Sequence, residues 1–304
     1  MRVSSRRFRT GLRSGLVPER LTDRAVIGSL LRELGVRPQK RLGQNFLVDH
    51  SVVERIRQRV EEAKPNVVLE IGPGLGAITQ GLVESVEHVL AIEVDARLAD
   101  SLRMRFRRHG NLEVIEQDIL TFDFRARFGA DKVFVVGSLP YRITSPILSH
   151  LVDSRDAIST ACLITQWEVA DKIANSPGKQ GSSLGVFVHA YAEISSLKRI
   201  RRGAFFPVPE VDSAGWEMSF LPNPRFEASE GVFFEVVRTL YRNRRKMVRR
   251  ALQDLLDTSQ IAGILGAASV DGTARGETLE FAVLDRLALA CAPLLQDRTE
   301  TRSP

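Results

Sequence analysis

Short apolar runs alternate with longer amphipathic stretches over the first part of the chain. The apolar runs are nearly continuous and rich in β-branched residues, which is typical of strands buried on both faces of a sheet. They occupy residues 66–72, 88–95, 112–118, 132–138 and 159–166. Amphipathic segments of helical length follow several of them, as over about 75–84. This alternation predicts a parallel, doubly wound α/β sheet that is covered by helices on both faces.

The pattern changes after the proline-rich segment 220–226, FLPNPRF, which is typical of a linker. Only helical patterns follow this segment. We therefore predict three parts in the chain: a basic, partly disordered N-terminal extension over 1–43, an α/β domain over 44–222, and a small all-helical domain over 223–304.

The composition indicates a globular protein of a reducing compartment. A chain of 304 residues, 43% of them hydrophobic, is long enough for one large core and a smaller second domain. The two cysteines, Cys162 and Cys291, are isolated and indicate neither a disulfide framework nor a metal cluster. No apolar window reaches the length of a membrane span. We expect a soluble cytoplasmic protein without a bound metal, and a monomer, because no self-complementary apolar seam stands out.

Positive charge is concentrated in a few segments. The net charge is +6, and residues 1–43 alone, with eleven basic and three acidic residues, carry +8. Further basic clusters lie at 103–108, 198–202 and 238–250. Such clusters favour a polyanion as partner, with nucleic acid as the first candidate, although each one separately is also compatible with a solvated helix face. The first fifteen residues are compatible with a transit peptide, an RNA-binding arm or a disordered basic leader, and we favour the leader.

Three successive strand ends carry groups that suit a nucleoside. The glycine-rich stretch EIGPGLG at 70–76 follows the first strand, where glycines let the backbone approach a ligand beside a helix N-terminus. Glu93 ends the second strand and is suited to the two hydroxyls of a ribose, and Asp118 ends the third and is suited to an amino group. The spacing also satisfies the dinucleotide fingerprint of nicotinamide and flavin enzymes, and a ligand-free turn is a further alternative.

The fourth strand separates these alternatives. It ends in GSLPY at 137–141, which is either an ordinary strand-ending turn or a slot for a flat ring. A dehydrogenase has no particular use for Ser-Leu-Pro-Tyr at this place, whereas enzymes that methylate amino groups hold their substrate in such a motif. The four strand ends together therefore favour a methyltransferase over a nicotinamide-linked oxidoreductase.

A family resemblance covers about residues 40–255. It is carried by KRLGQNFLVDH at 40–50, LEIGPGLGAIT at 69–79, SLPYRITSPIL at 138–148, GAFFPVPEVDSA at 203–214 and RNRRKMVRRAL at 242–252. In this order the motifs resemble those of the KsgA family of ribosomal RNA adenine N6,N6-dimethyltransferases, to which the Erm enzymes are related. The resemblance implies a Rossmann-like class I methyltransferase sheet with a small C-terminal helical domain, S-adenosylmethionine as cofactor, and small-subunit ribosomal RNA in the assembling subunit as partner.

The resemblance also implies a role for individual residues. The residues expected to contact the cofactor are Gln44, Asn45, Leu47, Gly72, Gly74, Glu93, Val94, Asp118, Ile119 and Ser138. Those expected to hold the target adenine are Ser138, Leu139, Pro140, Tyr141 and Phe205, with Tyr141 and Phe205 on its two faces. Those expected to bind RNA are Arg242, Arg244, Arg245, Lys246, Arg249 and Arg250.

Two residues depart from the family pattern. Ser138 stands where the family usually has asparagine, and Glu210 stands where it usually has lysine. The serine is shorter and has no amide, so we expect a slower reaction or a weaker second methylation. It also leaves open an alternative, in which a catalytically weakened relative acts mainly as a ribosome-assembly or nucleic-acid-binding factor.

Overall fold

The computed structural model describes residues 20–38, 44–129 and 131–300. The predicted leader over the first fifteen residues lies outside the described residues. Within the described part of the chain, no helix combines the length and the apolar composition that crossing a membrane requires.

Nine strands form two sheets in the described part of the chain. They are β1 (Phe46–Leu47), β2 (Val67–Ile71), β3 (His88–Glu93), β4 (Leu112–Glu116), β5 (Val133–Ser138), β6 (Ile158–Gln166), β7 (Ala192–Ile200), β8 (Phe205–Phe206) and β9 (Ser213–Phe220). The large sheet has the order β4-β3-β2-β5-β6-β9-β7, and β1 pairs with β8 in a small antiparallel sheet. The five strands predicted from the apolar runs are β2 to β6, and they are mutually parallel.

The sheet is mixed, and the prediction of a wholly parallel sheet is wrong at one edge. β9 runs antiparallel to both β6 and β7, which the sequence pattern did not predict. β7 contains a register shift between Ser195 and Lys198, and it carries polar residues on both sides of that shift. Such a strand shows no continuous apolar run, because an edge strand is buried less than a central one.

The helices occupy the connections between strands and the C-terminal third of the chain. They are α1 (Arg24–Glu33), α2 (His50–Ala63), α3 (Ala77–Ser85), α4 (Ala96–Arg105), α5 (Phe124–Phe128), α6 (Thr144–Asp153), α7 (Trp167–Ala174), α8 (Ser183–Tyr191), α9 (Glu230–Arg242), α10 (Val248–Ala251), α11 (Thr258–Ala268) and α12 (Phe281–Glu300). Several begin at an Asp whose carboxylate accepts a backbone N–H of the first turn, as Asp49 does from Ser51 and Asp95 from Arg97.

The large sheet separates two hydrophobic cores. On one face, Val68 and Phe134 pack with apolar side chains of α1 to α4. On the other face, their chain neighbours Leu69 and Val135 pack with α6, α8 and the C-terminal helices. Alternate burial on the two faces follows from the period of two along a strand, and it explains why the central runs are apolar throughout.

The segment 20–38 packs with the sheet domain, although the sequence predicted a separate basic extension. Leu21, Ile27, Leu30 and Leu31 are buried in the same core as α2 and α3. Asp23 caps α1 by accepting the backbone N–H of Ala25 at 2.7 Å. The boundary between the N-terminal extension and the α/β domain at residue 43 stays a prediction. The burial of apolar side chains of residues 20–38 in the same core does not favour it.

The C-terminal helices share a core with α8. Tyr191 at the end of α8 contacts Phe226, and the ring of Phe226 stacks on Phe233 of α9 with the ring centres 4.5 Å apart. Both ends of the predicted linker are bonded to the end of α8, because the N–H groups of Leu221 and Arg225 donate to the carbonyls of Tyr191 and Ala190. The helical part is thus docked on the sheet domain through aromatic packing.

Replacing Gly76 by alanine is expected to lower the free energy of unfolding by about 2–5 kcal/mol. Gly76 has a φ of 91°, and a Cβ atom there would lie 2.7 Å from a ring carbon of Phe106. The left-handed backbone costs about 1–2 kcal/mol, and the overpacking costs about 1–3 kcal/mol. Urea titration measures the change.

Gly263 in α11 is the control, because it is exposed and has open space around it, so G263A is expected to stabilise by about 0.5–1 kcal/mol. Equal effects of the two changes would contradict the packing argument.

Candidate functional site

A cleft lies at the carboxyl ends of β2, β3 and β5, where ligands of parallel α/β sheets generally bind. The parallel register sets Ile71 opposite both Ile92 and Gly137, so the residues that follow these three strands meet at one edge. All of the predicted cofactor residues and four of the five predicted base-binding residues line this cleft: Gln44, Asn45, Leu47, Gly72, Gly74, Glu93, Val94, Asp118, Ile119, Ser138, Leu139, Pro140 and Tyr141.

The glycine-rich loop is fixed by a hydrogen bond to the neighbouring strand. The backbone N–H of Gly74 donates to Oε2 of Glu93 at 3.0 Å. Gly74 has a φ of 60°, and a Cβ there would lie 3.2 Å from the ring of Phe46. Only glycine therefore combines this backbone conformation with the close approach of β1.

Glu93 is a buried carboxylate at the floor of the cleft, with 4% of its surface exposed. Its other oxygen, Oε1, accepts the backbone N–H of Asp95 at 3.0 Å. Burial raises the pKa of Glu93, and the two backbone donors oppose that rise. Val94, the next residue, is 55% exposed and offers an apolar surface beside the carboxylate. A carboxylate beside an apolar surface suits a ribose with its attached base.

Asp118 and Ile119 form the side wall of the cleft. Oδ1 of Asp118 accepts the backbone N–H of Leu120 at 3.0 Å, which fixes the turn after β4. Ile119 is buried beneath it. The carboxylate is thereby held at the cleft wall, where an exocyclic amino group is a suitable partner.

The segment Ser138-Leu139-Pro140-Tyr141 is held by three contacts. The N–H of Leu139 donates to the carbonyl of Ile164 at 2.9 Å, and Thr144 Oγ1 donates to the carbonyl of Pro140 at 3.1 Å. The hydroxyl of Tyr141 lies 2.6 Å from Oγ of Ser213, and burial raises the pKa of Tyr141. The tyrosine ring is thus fixed at its outer end as well as at its backbone.

Sequence reasoning missed Ser213 as the partner of Tyr141. It is fully buried at the start of β9, where an unpaired hydroxyl would be costly. Ser213 lies within the stretch FFPVPEVDSA, which the family resemblance had singled out, so that stretch was the available signal.

The structure does not place Phe205 in the cleft, contrary to the prediction. Its side chain is 0% exposed and packs in the core beneath α1 and α2. The cause is the pairing of β8 with β1, which sets Phe205 opposite Leu47. Adjacent residues of a strand point to opposite sides, so Phe206 is the partly exposed member of the pair. A second aromatic face for a bound base is not supplied by Phe205 in this arrangement.

Glu70 is a cleft residue whose burial the sequence did not reveal. It is 1% exposed and accepts a hydrogen bond from Thr79 Oγ1 at 2.6 Å. Burial, together with the nearby Glu93, raises the pKa of Glu70 to about 8. Burial thus raises the pKa of both neighbouring carboxyl groups, Glu70 and Glu93.

The predicted RNA-binding residues lie at the C-terminal end of α9, in the turn that follows it and in α10, and they fall into two groups. Arg244 bonds Oε2 of Glu277 at 2.7 Å and the carbonyl of Lys179, so it joins parts of the fold. The other five are exposed: Arg242, Arg245, Lys246, Arg249 and Arg250.

Comparison with known proteins gives a consistent picture. A model of the family described as ribosomal RNA adenine dimethylase matches residues 35–284. The ribosomal RNA small subunit methyltransferase A of Geobacter metallireducens is 37% identical over 273 residues, which are 86% of this chain and 98% of that protein. The protein of the same name from Moorella thermoacetica is 38% identical over 275 residues, 85% of this chain and 95% of that protein.

Solved structures show the same fold. The 23S rRNA methyltransferase ErmE is 29% identical and superposes with a TM-score of 0.65, covering 81% of this chain and 99% of that one. A dimethyladenosine transferase from Plasmodium falciparum is 20% identical with a TM-score of 0.68, covering 81% and 97% of the two chains.

The stability of the wild-type protein is expected to fall more steeply with rising pH than that of E70Q. The folded-state pKa of Glu70, about 8, lies above its value in an unfolded chain, so folding is favoured at low pH and this contribution is lost as pH rises from about 5 to 8. The difference between the two proteins is expected to change by about 3–4 kcal/mol over this range. Urea titrations at pH 5 and pH 8 measure it, and parallel pH profiles would contradict the shifted pKa.

Proposed function

The chain belongs to the ribosomal RNA adenine dimethylase family, and on that premise we propose that it dimethylates N6 of two adjacent adenosines in a small-subunit ribosomal RNA stem-loop during ribosome biogenesis. S-adenosylmethionine is the methyl donor. The observation that carries the proposal is the union, in one cleft, of a buried strand-end carboxylate and the Ser-Leu-Pro-Tyr segment. The small-subunit enzymes of Geobacter and Moorella are more similar in sequence than ErmE, which favours the small subunit as target. We expect the protein to act as a cytoplasmic monomer on the assembling subunit.

The cleft fits the cofactor. Glu93 would hold the ribose, Val94 would pack on the adenine, and Asp118 with Ile119 would contact its edge. Gln44, Asn45 and Leu47 would line the methionine end, and Gly72 and Gly74 would let the backbone pass close to it. The buried carboxylate held by two backbone N–H groups supports this assignment, because its position is set before any ligand enters.

The side chains at the end of β5 would position the target amino group. The lone pair of adenine N6 is delocalised into the ring, which makes it a poor nucleophile. Ser138 Oγ and the Leu139 carbonyl are the acceptors available for N6–H, and Pro140 restricts the backbone there. The sulfonium methyl that S-adenosylmethionine supplies is already activated, so the protein needs to align the two groups. The proton of the cationic product nitrogen leaves to solvent.

The target base must leave its stack to enter such a cleft. Tyr141 supplies one aromatic face, and its bond to Ser213 holds the ring in place. Stacking on a fixed ring offsets about 1–3 kcal/mol of the cost of unstacking. The five exposed basic residues around α10 are suited to the RNA backbone, whereas Arg244 is engaged by Glu277.

The proposed function predicts methyl transfer to unmethylated small ribosomal subunits. The purified protein is incubated with labelled S-adenosylmethionine and these subunits, and the modified nucleotides are mapped by mass spectrometry. We expect label on N6 of two neighbouring adenosines and none on large subunits. Binding to small subunits without any methyl incorporation would refute the catalytic proposal and support an assembly factor. Label confined to large subunits would indicate an Erm-like target.

The second methylation is expected to be the slower one, and S138N is expected to speed it. Serine is shorter than asparagine and has no amide, so it holds the amino group less firmly after one methyl has been added. Time courses of mono- and dimethyladenosine, resolved by mass spectrometry, measure the two steps. We expect monomethyladenosine to accumulate with the wild-type protein and to decrease several-fold in S138N. Full dimethylation at one rate, unchanged by the substitution, would contradict the role of Ser138.

A further inference from the structure

Residues 20–38 close one side of the cleft, although most of them precede the region that the family model matches. That region begins at residue 35, after the end of α1. Leu21 and Ile27 nevertheless line the cleft together with Gln44 and Asn45. Both apolar side chains are buried, so this segment is a wall of the site.

The C-terminal end of the segment is attached to the cofactor side of the cleft. Nη1 of Arg97 donates to the carbonyl of Gly35 at 3.1 Å. The same guanidinium bonds Asp95 through Nε at 3.2 Å and Nη2 at 3.0 Å. Asp95 in turn donates its N–H to Glu93, so a continuous chain of bonds leads from Gly35 to the buried carboxylate.

The N-terminal end of the segment is attached to the other side. Arg24 donates through Nη2 to the carbonyl of Gly203. Gly203 precedes β8, and the N–H of Val48 donates to the carbonyl of Ala204 at 2.7 Å. β8 pairs with β1, which directly follows Gln44 and Asn45. The turn over 202–204 is thus connected to the entrance of the cleft.

We propose that residues 20–38 act as a clamp that joins the cofactor loop over 93–97 to the turn over 202–204, so that each side of the cleft depends on the other. Arg24 and Arg97 are positioning residues in this clamp. The inference rests on the proposed function, because it takes the cleft to be the cofactor site. The inference goes beyond the proposed function by assigning a role to a segment that lies mostly outside the region matched by the family model.

If residues 20–38 only completed the fold, the expected effect of changing them would be different. Leu21 and Ile27 belong to the core, so a segment that only completes the fold would affect stability and leave cofactor affinity unchanged. A clamp transmits a change at its Arg24 end to the cofactor loop at its Arg97 end. The decisive variant is therefore R24A, because Arg24 is exposed and is not among the residues that line the cleft.

The experiment compares the full-length wild-type protein with R24A, R97A and the double variant. The Kd for S-adenosylhomocysteine is measured by calorimetry, and the KM for cofactor and for unmethylated small subunits is measured by methyl incorporation. We expect R24A and R97A each to raise the Kd about three- to tenfold, the scale of one ordinary hydrogen bond. The double variant is expected to lie within about twofold of the weaker single variant, because either change releases the same clamp.

R32A is the matched control, since Arg32 is an exposed arginine of the same helix. Its Kd is expected to stay within about twofold of the wild type, and the melting temperature is recorded for every variant. A wild-type Kd in R24A would overturn the clamp, whether or not its melting temperature falls. Additive losses in the double variant would overturn the coupling of the two ends. Wild-type protein that binds no S-adenosylhomocysteine would refute the proposed function and the inference with it.

Discussion

The parallel pairing of β2 with both β3 and β5 is the constraint on which the site depends. It sets Ile71 between Ile92 and Gly137, so the glycine loop, Glu93 and Ser138 emerge side by side. Gly137 permits this close approach, since a Cβ there would lie 2.9 Å from the carbonyl oxygen of Ile71. A side chain at this position would push apart the two strands that carry the cofactor and substrate ends of the cleft.

The second feature of the site is the burial of two carboxyl groups with different partners. Glu93 accepts two backbone N–H groups, and Glu70 accepts one hydroxyl. Backbone donors stabilise the charged form of Glu93 in part, whereas burial keeps the pKa of Glu70 near 8. Burying these carboxyl groups lowers the stability of the fold, but it holds an acceptor at the cleft floor before any ligand binds, as preorganised sites require.

Much of the site was predictable because its residues follow the strand pattern. Gly72, Glu93, Asp118 and Ser138 each stand at or next to the end of an apolar run, and parallel strands bring such ends together. Phe205 was predicted wrongly because its orientation depends on which strand β8 pairs with. A two-residue strand has no periodic pattern of its own, so neither that pairing nor the face of each phenylalanine can be derived from the sequence.

The central α/β alternation, the order of the strand-end groups and the chemistry they suit all follow from the sequence alone, because these features are local in the chain. Other features depend on contacts between residues that are distant in the chain. The folded chain shows that Arg244, which stays a predicted RNA contact, bonds Glu277, that one edge of the sheet is antiparallel, and that residues 20–38 lie against the cleft. Charge and hydrophobicity are properties of single residues, whereas burial and hydrogen-bond partners depend on pairs of residues that only the folded chain brings together.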